Sequence, residues 1–242
     1  MSRGDERVTV VIPTRAEAGN IGPIIERLTL ALGPRLGEIV FVDDSDDETP
    51  ETIEAWARRR PGVRLLHRPE AGPRNGLAGA VLLGIEAAGY AQVCVMDGDL
   101  QHPPEVVPRL LQALSSGQAD LVLASRFLPD SSHHMSPLRR GASWLARMLA
   151  RAILPARLRA ISDPMTGFFV VDRRRLSPHA LHPIGWKILL EILFRHPELR
   201  VSEVGFTFAP RHSGRSKAST REFAQLIRHL LRMRRADHRT AS

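Results

Sequence analysis

Two carboxylates and an amide alternate at Asp97, Asp99 and Gln101, directly after the apolar run Val93-Cys94-Val95-Met96. Hard oxygen donors gathered where a strand ends suit a divalent cation that holds a diphosphate. An acid-x-acid triplet on its own is common among solvated turns, so the weight of this one depends on what the rest of the chain brings to the same place.

The pattern before it alternates. Apolar runs at residues 8–12, 38–42, 63–66, 93–96 and 121–124 read as strands; helical spacing at 21–32, 77–88 and 104–114 reads as helices, with another opened by Thr49-Pro50-Glu51. Pro50 suits a first helical turn, and acids beside it suit a helix N-terminus. Such alternation predicts an α/β fold with a mostly parallel sheet, helices on both faces and ligands at the carboxyl ends of the strands. Those ends carry Pro13-Thr14-Arg15-Ala16-Glu17, then Asp43-Asp44-Ser45-Asp46-Asp47, then the Asp97 to Gln101 group, then Ser125-Arg126. Four polar groups on one rim outweigh any single turn, although Ser45, Asp46 and Asp47 themselves read better as turn and cap residues. Gly72, Gly76, Gly79 and Gly84 contain no GxGxxG spacing and read as turn and close helix packing.

At 242 residues, 43% of them hydrophobic, the chain suits one domain with a sizeable core. A lone cysteine, Cys94, excludes a disulfide framework and reads as a buried, inert thiol. With a short charged start in place of a signal peptide and no apolar run of spanning length, a soluble or peripheral cytoplasmic protein is expected. Charge is divided. Residues 1–125 hold 12 Lys/Arg against 18 Asp/Glu, a net −6, and residues 126–242 hold 22 against 8, a net +14. The cationic half suits nucleic acid, an anionic membrane or a phosphorylated substrate. Only 5% of residues are aromatic, which argues against a base-stacking surface. Residues 138–153 and 221–235 each read as an amphipathic helix, with arginines (Arg140, Arg147, Arg151; Arg221, Arg228, Arg232, Arg235) opposite an apolar side. Both readings stand: faces packed on the core, or a membrane-surface role.

Taken together, these residues resemble the family-2 glycosyltransferases of GT-A fold, nearest to the polyprenyl-phosphate (dolichol-phosphate) mannose synthases. The resemblance runs from Val8 to about Lys217 and rests on Val11-Ile12-Pro13-Thr14 with Glu17 and Asn20, Val42-Asp43-Asp44-Ser45, Gly76-Leu77, the string from Asp97 to Glu105, Ser125-Arg126, Arg140-Gly141-Ala142-Ser143, the string from Asp163 to Phe168, and that from Arg211 to Lys217. It implies a Rossmann-like single domain at 8–217, divided into a nucleotide and metal half (8–125) and an acceptor half (126–217). An extension at 1–7, a basic amphipathic helix at 218–235 and a disordered tail at 236–242 flank it. Pro13, Arg15, Glu17, Val42 and Asp44 would line the nucleotide pocket, with Asp97 and Gly98 beside the donor. Asp99 and Gln101 would ligate Mg2+ or Mn2+. Arg126, Arg211 and Lys217 would stabilise diphosphate or acceptor phosphate, with Arg140 and Ser143 also on the acceptor side; Asp99, Arg126, Arg211 and Lys217 form the catalytic set. Where the family usually has Tyr-Asn between Thr14 and Glu17, this chain has Arg15-Ala16, so stacking on the base does not carry over. It also lacks the glycine usual in the turn at 45–49.

The activity so implied moves mannose, with inversion, from GDP-mannose to a polyprenyl monophosphate at an anionic membrane surface, peripherally on the cytoplasmic face and with an integral-membrane partner subunit as a possible anchor. A UDP-sugar donor for glucosyl or aminosugar transfer is the alternative. A sugar-phosphate nucleotidyltransferase expects a Gly-rich loop after the first strand, which residues 13–20 do not supply. Nucleic-acid binding is the least expected.

Overall fold

A computed structural model describes residues 6–68, 76–128, 148, 156–181 and 187–210. An interior strand of its sheet, β1 (Val8–Thr14), is buried at every position. A strand without a polar face takes parallel neighbours and helices above and below. β2 (Leu36–Asp43) and β4 (Gln92–Val95) are those neighbours, and β3 (Val63–His67) continues the parallel run beyond β2. Beyond β4 come β6 (Phe169–Asp172), β5 (Leu121–Ser125) and β7 (Val201–Gly205), giving the order β3-β2-β1-β4-β6-β5-β7. β6 is antiparallel to both neighbours, and β7 is parallel to β5.

Alternate residues of β1 serve two cores. Val10 and Ile12 join Ile21, Ile24, Ile25 and Leu28 of α1 (Ala18–Leu32), Ile53 of α2 (Thr49–Arg59) and Val107, Leu110, Leu111 and Leu114 of α4 (Val107–Ser115). Val11 joins the opposite core with Ala80, Val81 and Ile85 of α3 (Gly76–Ala87), Leu158 of the short α5 (Ala156–Arg159) and Leu189, Ile192 and Leu193 of α6 (Ile188–Arg195). Each valine, leucine or isoleucine among them contributes about 1.5–3 kcal/mol by leaving water. Gly84 lets α3 lie directly on the sheet, because a Cβ there would strike Val11 and Val42. α2 begins as its sequence suggests: Asp47 Oδ1 accepts from the Thr49 N–H at 3.0 Å, Pro50 sits in the first turn, and Arg58 and Arg59 close the last.

The fold is therefore a mixed α/β domain with a mostly parallel sheet and helices on both faces, as expected. β6 is the departure from simple alternation. It runs backwards between β4 and β5, so its entry, not its exit, lies at the rim where the parallel strands end; Phe169 stands opposite both Val95 and Leu123. Among the described residues no helix is long and apolar enough to cross a membrane. The expected basic helices at 138–153, apart from Met148, and at 221–235 lie outside the described residues, as does the tail.

Candidate active site

The connection after β1 moves outward to β2 and β3, and the next strand, β4, returns to the other side of β1. A crevice opens where strand order reverses in this way. The residues after β1 and those after β4 form its two walls. Gly98 is where the walls meet, since a Cβ there would lie 3.2 Å from Thr14 Cγ2 and 3.3 Å from the Pro13 carbonyl oxygen.

On the first wall, buried Asp43 ends β2 and collects donors. Its carboxylate accepts from Thr14 Oγ1 at 2.7 Å, from Ser45 Oγ at 2.6 Å and from the Ser45 N–H at 2.9 Å, with His67 Nδ1 at 3.2 Å. Ser45 Oγ in turn accepts the Ala16 N–H at 2.8 Å, which ties the loop after β1 to the loop after β2. Ala16 is held there at φ 54°, in the left-handed region. The Glu17 N–H donates to Thr49 Oγ1 at 3.0 Å and its carboxylate accepts from Asn20 Nδ2. Asp44 donates its N–H to the Thr14 carbonyl at 3.0 Å, and its carboxylate is forked by Arg68, Nε to Oδ1 at 2.8 Å and Nη2 to Oδ2 at 2.6 Å. Val42 is fully buried beneath this wall.

On the second wall the turn after β4 is tight. Leu100, buried, takes φ 61°, a conformation that costs an L-residue about 1–2 kcal/mol. Asp99 Oδ1 accepts the Gln101 N–H at 3.0 Å, and the Asp97 N–H donates to His102 Nδ1 at 3.0 Å. An acceptor at Nδ1 makes His102 the neutral, Nε2-protonated imidazole. Burial holds its pKa below the ordinary value, against the pull of Asp97 and Asp99. Gly167 closes on this turn: a Cβ there would sit 3.0 Å from Asp97 Oδ1. Gln101 Nε2 donates to the Ala209 carbonyl at 3.4 Å and the Ala209 N–H to the Gln101 carbonyl at 3.1 Å, so Oε1 is the end of the amide suited to a cation. Asp97, Asp99 and Gln101 thus offer a hard, all-oxygen donor set. Among the described residues no group of three His, Cys, Asp or Glu side chains is arranged to hold a metal by itself.

A third segment arrives with β6. Asp163, 1% exposed, forks Arg126 from the end of β5, Nε to Oδ2 at 2.7 Å and Nη2 to Oδ1 at 3.0 Å. Burial opposes the guanidinium charge, but Asp163 outweighs it and holds Arg126 above its ordinary range. Phe127 and Phe208 stand 5.5 Å and 5.6 Å from the Arg126 guanidinium. Ser162 donates its N–H and hydroxyl to Glu203 of β7, and its hydroxyl meets Ser125 Oγ. Lys187 Nζ donates to the Met165 carbonyl at 2.6 Å. The segment at 162–168 therefore meets two cations and the Asp97 carboxylate together.

Pro13, Arg15, Glu17, Val42, Asp44, Asp97, Gly98, Asp99, Gln101 and Arg126 all sit on this rim or directly under it. Arg140, Ser143, Arg211 and Lys217 lie outside the described residues, though Ala209, against Gln101, is two positions before Arg211 in the chain. Three residues with no expected role join the rim: Arg68, His102 and Lys187. Arg68 had a signal, because it follows the third strand just as the other polar groups follow theirs.

Comparison with known proteins agrees with this geometry. A dolichol-phosphate mannosyltransferase of Pyrococcus furiosus is 37% identical over 229 residues, 94% of this chain and 63% of that protein, so this chain spans less than two thirds of its length. A dolichol-phosphate mannosyltransferase of Saccharomyces cerevisiae is 37% identical over 239 residues, 92% of this chain and 85% of that one. The solved glucosyl-3-phosphoglycerate synthase of Mycobacterium tuberculosis, in complex with Mn2+, UDP and glucosyl-3-phosphoglycerate, shares the fold at TM-score 0.71 and 21% identity, over 94% of this chain and 78% of that one. Residues 9–177, which include both walls of the crevice and the Arg126–Asp163 fork, match the family model described as glycosyl transferase family 2. By that match and by the extent of its likeness to the two mannosyltransferases, the chain belongs to glycosyl transferase family 2.

Proposed function

We propose that this chain transfers mannose from GDP-mannose to a polyprenyl monophosphate of dolichyl type, inverting the anomeric carbon, at an anionic membrane surface. One observation carries the reading: the acid turn after β4, the crevice beside β1 and the Arg126–Asp163 fork converge on one rim, in a chain 37% identical over most of its length to two dolichol-phosphate mannosyltransferases.

In this reading Pro13, Arg15, Glu17, Val42 and Asp44 line the nucleotide pocket, while Asp97 and Gly98 lie beside the donor. Asp99 and Gln101 would hold Mg2+ or Mn2+, and their all-oxygen donor set fits either. A divalent ion bound there supplies Lewis-acid stabilisation of the departing diphosphate. Arg211 and Lys217 add charge-assisted hydrogen bonds to the same oxygens. Arg126, Arg140 and Ser143 hold the acceptor phosphate. A phosphate monoester has a second pKa of about 6 and is largely a dianion at neutral pH, so no side chain has to deprotonate it. What these residues contribute is placement of the acceptor oxygen at the anomeric carbon, which removes entropy from the barrier.

Residues 8–217 act as the catalytic domain, with the basic segments at 138–153 and 218–235 resting on the cytoplasmic leaflet and a membrane partner subunit as a further anchor. Each Lys or Arg near an anionic leaflet contributes on the order of 1 kcal/mol. The solved relative bound to UDP keeps one second reading in view, a UDP-sugar donor. Incubating the protein with a polyprenyl phosphate, Mg2+ or Mn2+, and either GDP-mannose or UDP-glucose decides between them. Transfer from GDP-mannose is expected, lost in Asp99→Ala with the fold intact; transfer from UDP-glucose alone overturns the donor, and no transfer from either overturns the activity.

A further inference from the structure

His102 belongs to the turn after β4 but spends its side chain elsewhere. Its ring is 3% exposed and stacks on Phe168, the last residue before β6, with centroids 4.9 Å apart and planes 19° from parallel. Phe206 and Phe208, which follow β7, meet it edge-on at 5.9 Å each. Nδ1 accepts the Asp97 N–H at 3.0 Å. One ring thus joins the exits of β4 and β7 to the entry of β6. The turn it braces needs bracing, since Leu100 is held in a left-handed conformation between Asp99 and Gln101, and strain of that kind persists only where its surroundings over-determine it.

We propose that His102 is a positioning residue for the cation site: by accepting the Asp97 N–H from a fixed ring, it holds Asp99 and Gln101 in the arrangement that binds the divalent ion with the nucleotide. The inference rests on the reading that Asp99 ligates that ion. The aromatic contacts supply rigidity and the Nδ1 acceptor supplies direction. Partners behind a metal site that orient its ligands are worth about 10–100-fold in metal affinity.

Two substitutions separate direction from packing. His102→Phe keeps an aromatic ring among Phe168, Phe206 and Phe208 but removes the acceptor; His102→Asn gives up the ring stack but retains an acceptor oxygen near the Nδ1 position. GDP binding is titrated by calorimetry with and without Mn2+, beside thermal melting of each variant and of Asp99→Ala. His102→Phe is expected to lose at least about tenfold in Mn2+-dependent GDP affinity, with metal-free GDP binding unchanged. His102→Asn is expected to stay within about threefold of the parent in Mn2+-dependent affinity while melting lower, because it keeps the bond and loses the packing. Parent-like Mn2+-dependent binding by His102→Phe, or losses in both variants that follow their melting temperatures, overturns the role of His102. If Asp99→Ala itself leaves Mn2+-dependent binding unchanged, the cation site has been misread, which is a separate failure.

Discussion

Two arginine–carboxylate forks stand on the rim with their parts exchanged. Within residues 8–125, where acids outnumber bases, Asp44 lies beside the crevice and Arg68 reaches to it from the end of β3. Within residues 126–217, where bases outnumber acids, Arg126 lies at the end of β5 and Asp163 reaches to it from the approach to β6. Burial separates them further. Asp44 and Arg68 are equally accessible, 14% each, whereas Arg126 keeps 16% against 1% for Asp163. With its carboxylate hidden, the Arg126–Asp163 fork shows solvent only its guanidinium. The same interaction, at the same edge of the sheet, thus leaves both charges equally accessible at Asp44–Arg68 and only the cation accessible at Arg126–Asp163, according to how deep the carboxylate is placed.

That comparison breaks most visibly at Asp163. Asp163→Ala leaves the Arg126 charge buried without its fork, and removal of one partner from such a pair costs about 3–5 kcal/mol. Asp44→Ala leaves Arg68 its bond to the Gly76 carbonyl and is expected to cost about 1–2 kcal/mol. Urea denaturation of both variants measures the difference; equal losses would show that depth does not distinguish the forks.

A third fork sharpens the comparison from the opposite edge of the sheet. Asp120, just before β5, binds Arg200 through Nε at 2.9 Å and Nη2 at 2.9 Å, with Arg200 53% exposed. Hydrogen bonds from Arg200 hold the Asp120 pKa at about 2. A carboxylate lowered on folding stabilises the protein above its unfolded value near 3.9, and this contribution fades as pH falls toward 2. Asp120→Asn is expected to flatten the acid limb of the stability curve between those values and to cost about 1 kcal/mol or less at pH 7, as exposed pairs do. An unaltered acid limb contradicts the assignment. Smallest is the effect at Ala16: Ala16→Asn places a residue tolerant of the left-handed region at φ 54° and is expected to raise stability by up to about 1 kcal/mol, read from the melting temperature.

Ala16 also shows how far the sequence was legible. The family's usual asparagine at that position suits a left-handed backbone, and its replacement here was visible in the chain; the Ser45 hydroxyl that holds Ala16 in place was not. Continuous apolar runs and 3.6-residue spacing located the elements up to Leu121–Ser125 closely, because those signals are local. β6 is four residues long, and its pairing with β4 and β5 is set by partners distant in the chain, so its reversed direction had no local mark. Asp97, Asp99 and Gln101 were legible as a donor set because their chemistry and spacing lie within one turn. Arg68 and Asp44 were not legible as a pair, since an arginine after a strand reads as solvated until the parallel register of Asp43 with His67 sets the next residues side by side. His102 was hidden for the same reason, its three aromatic neighbours being brought to it by two later strands.

The central claim is that a divalent ion on the turn after β4 holds the donor diphosphate. It is tested most directly by a crystal structure grown with Mn2+ and GDP-mannose, with manganese located by anomalous scattering. Manganese bonded to Asp99 and to diphosphate oxygens in the crevice beside β1 is expected; manganese bound elsewhere, or nucleotide sugar ordered in that crevice without it, would contradict that role.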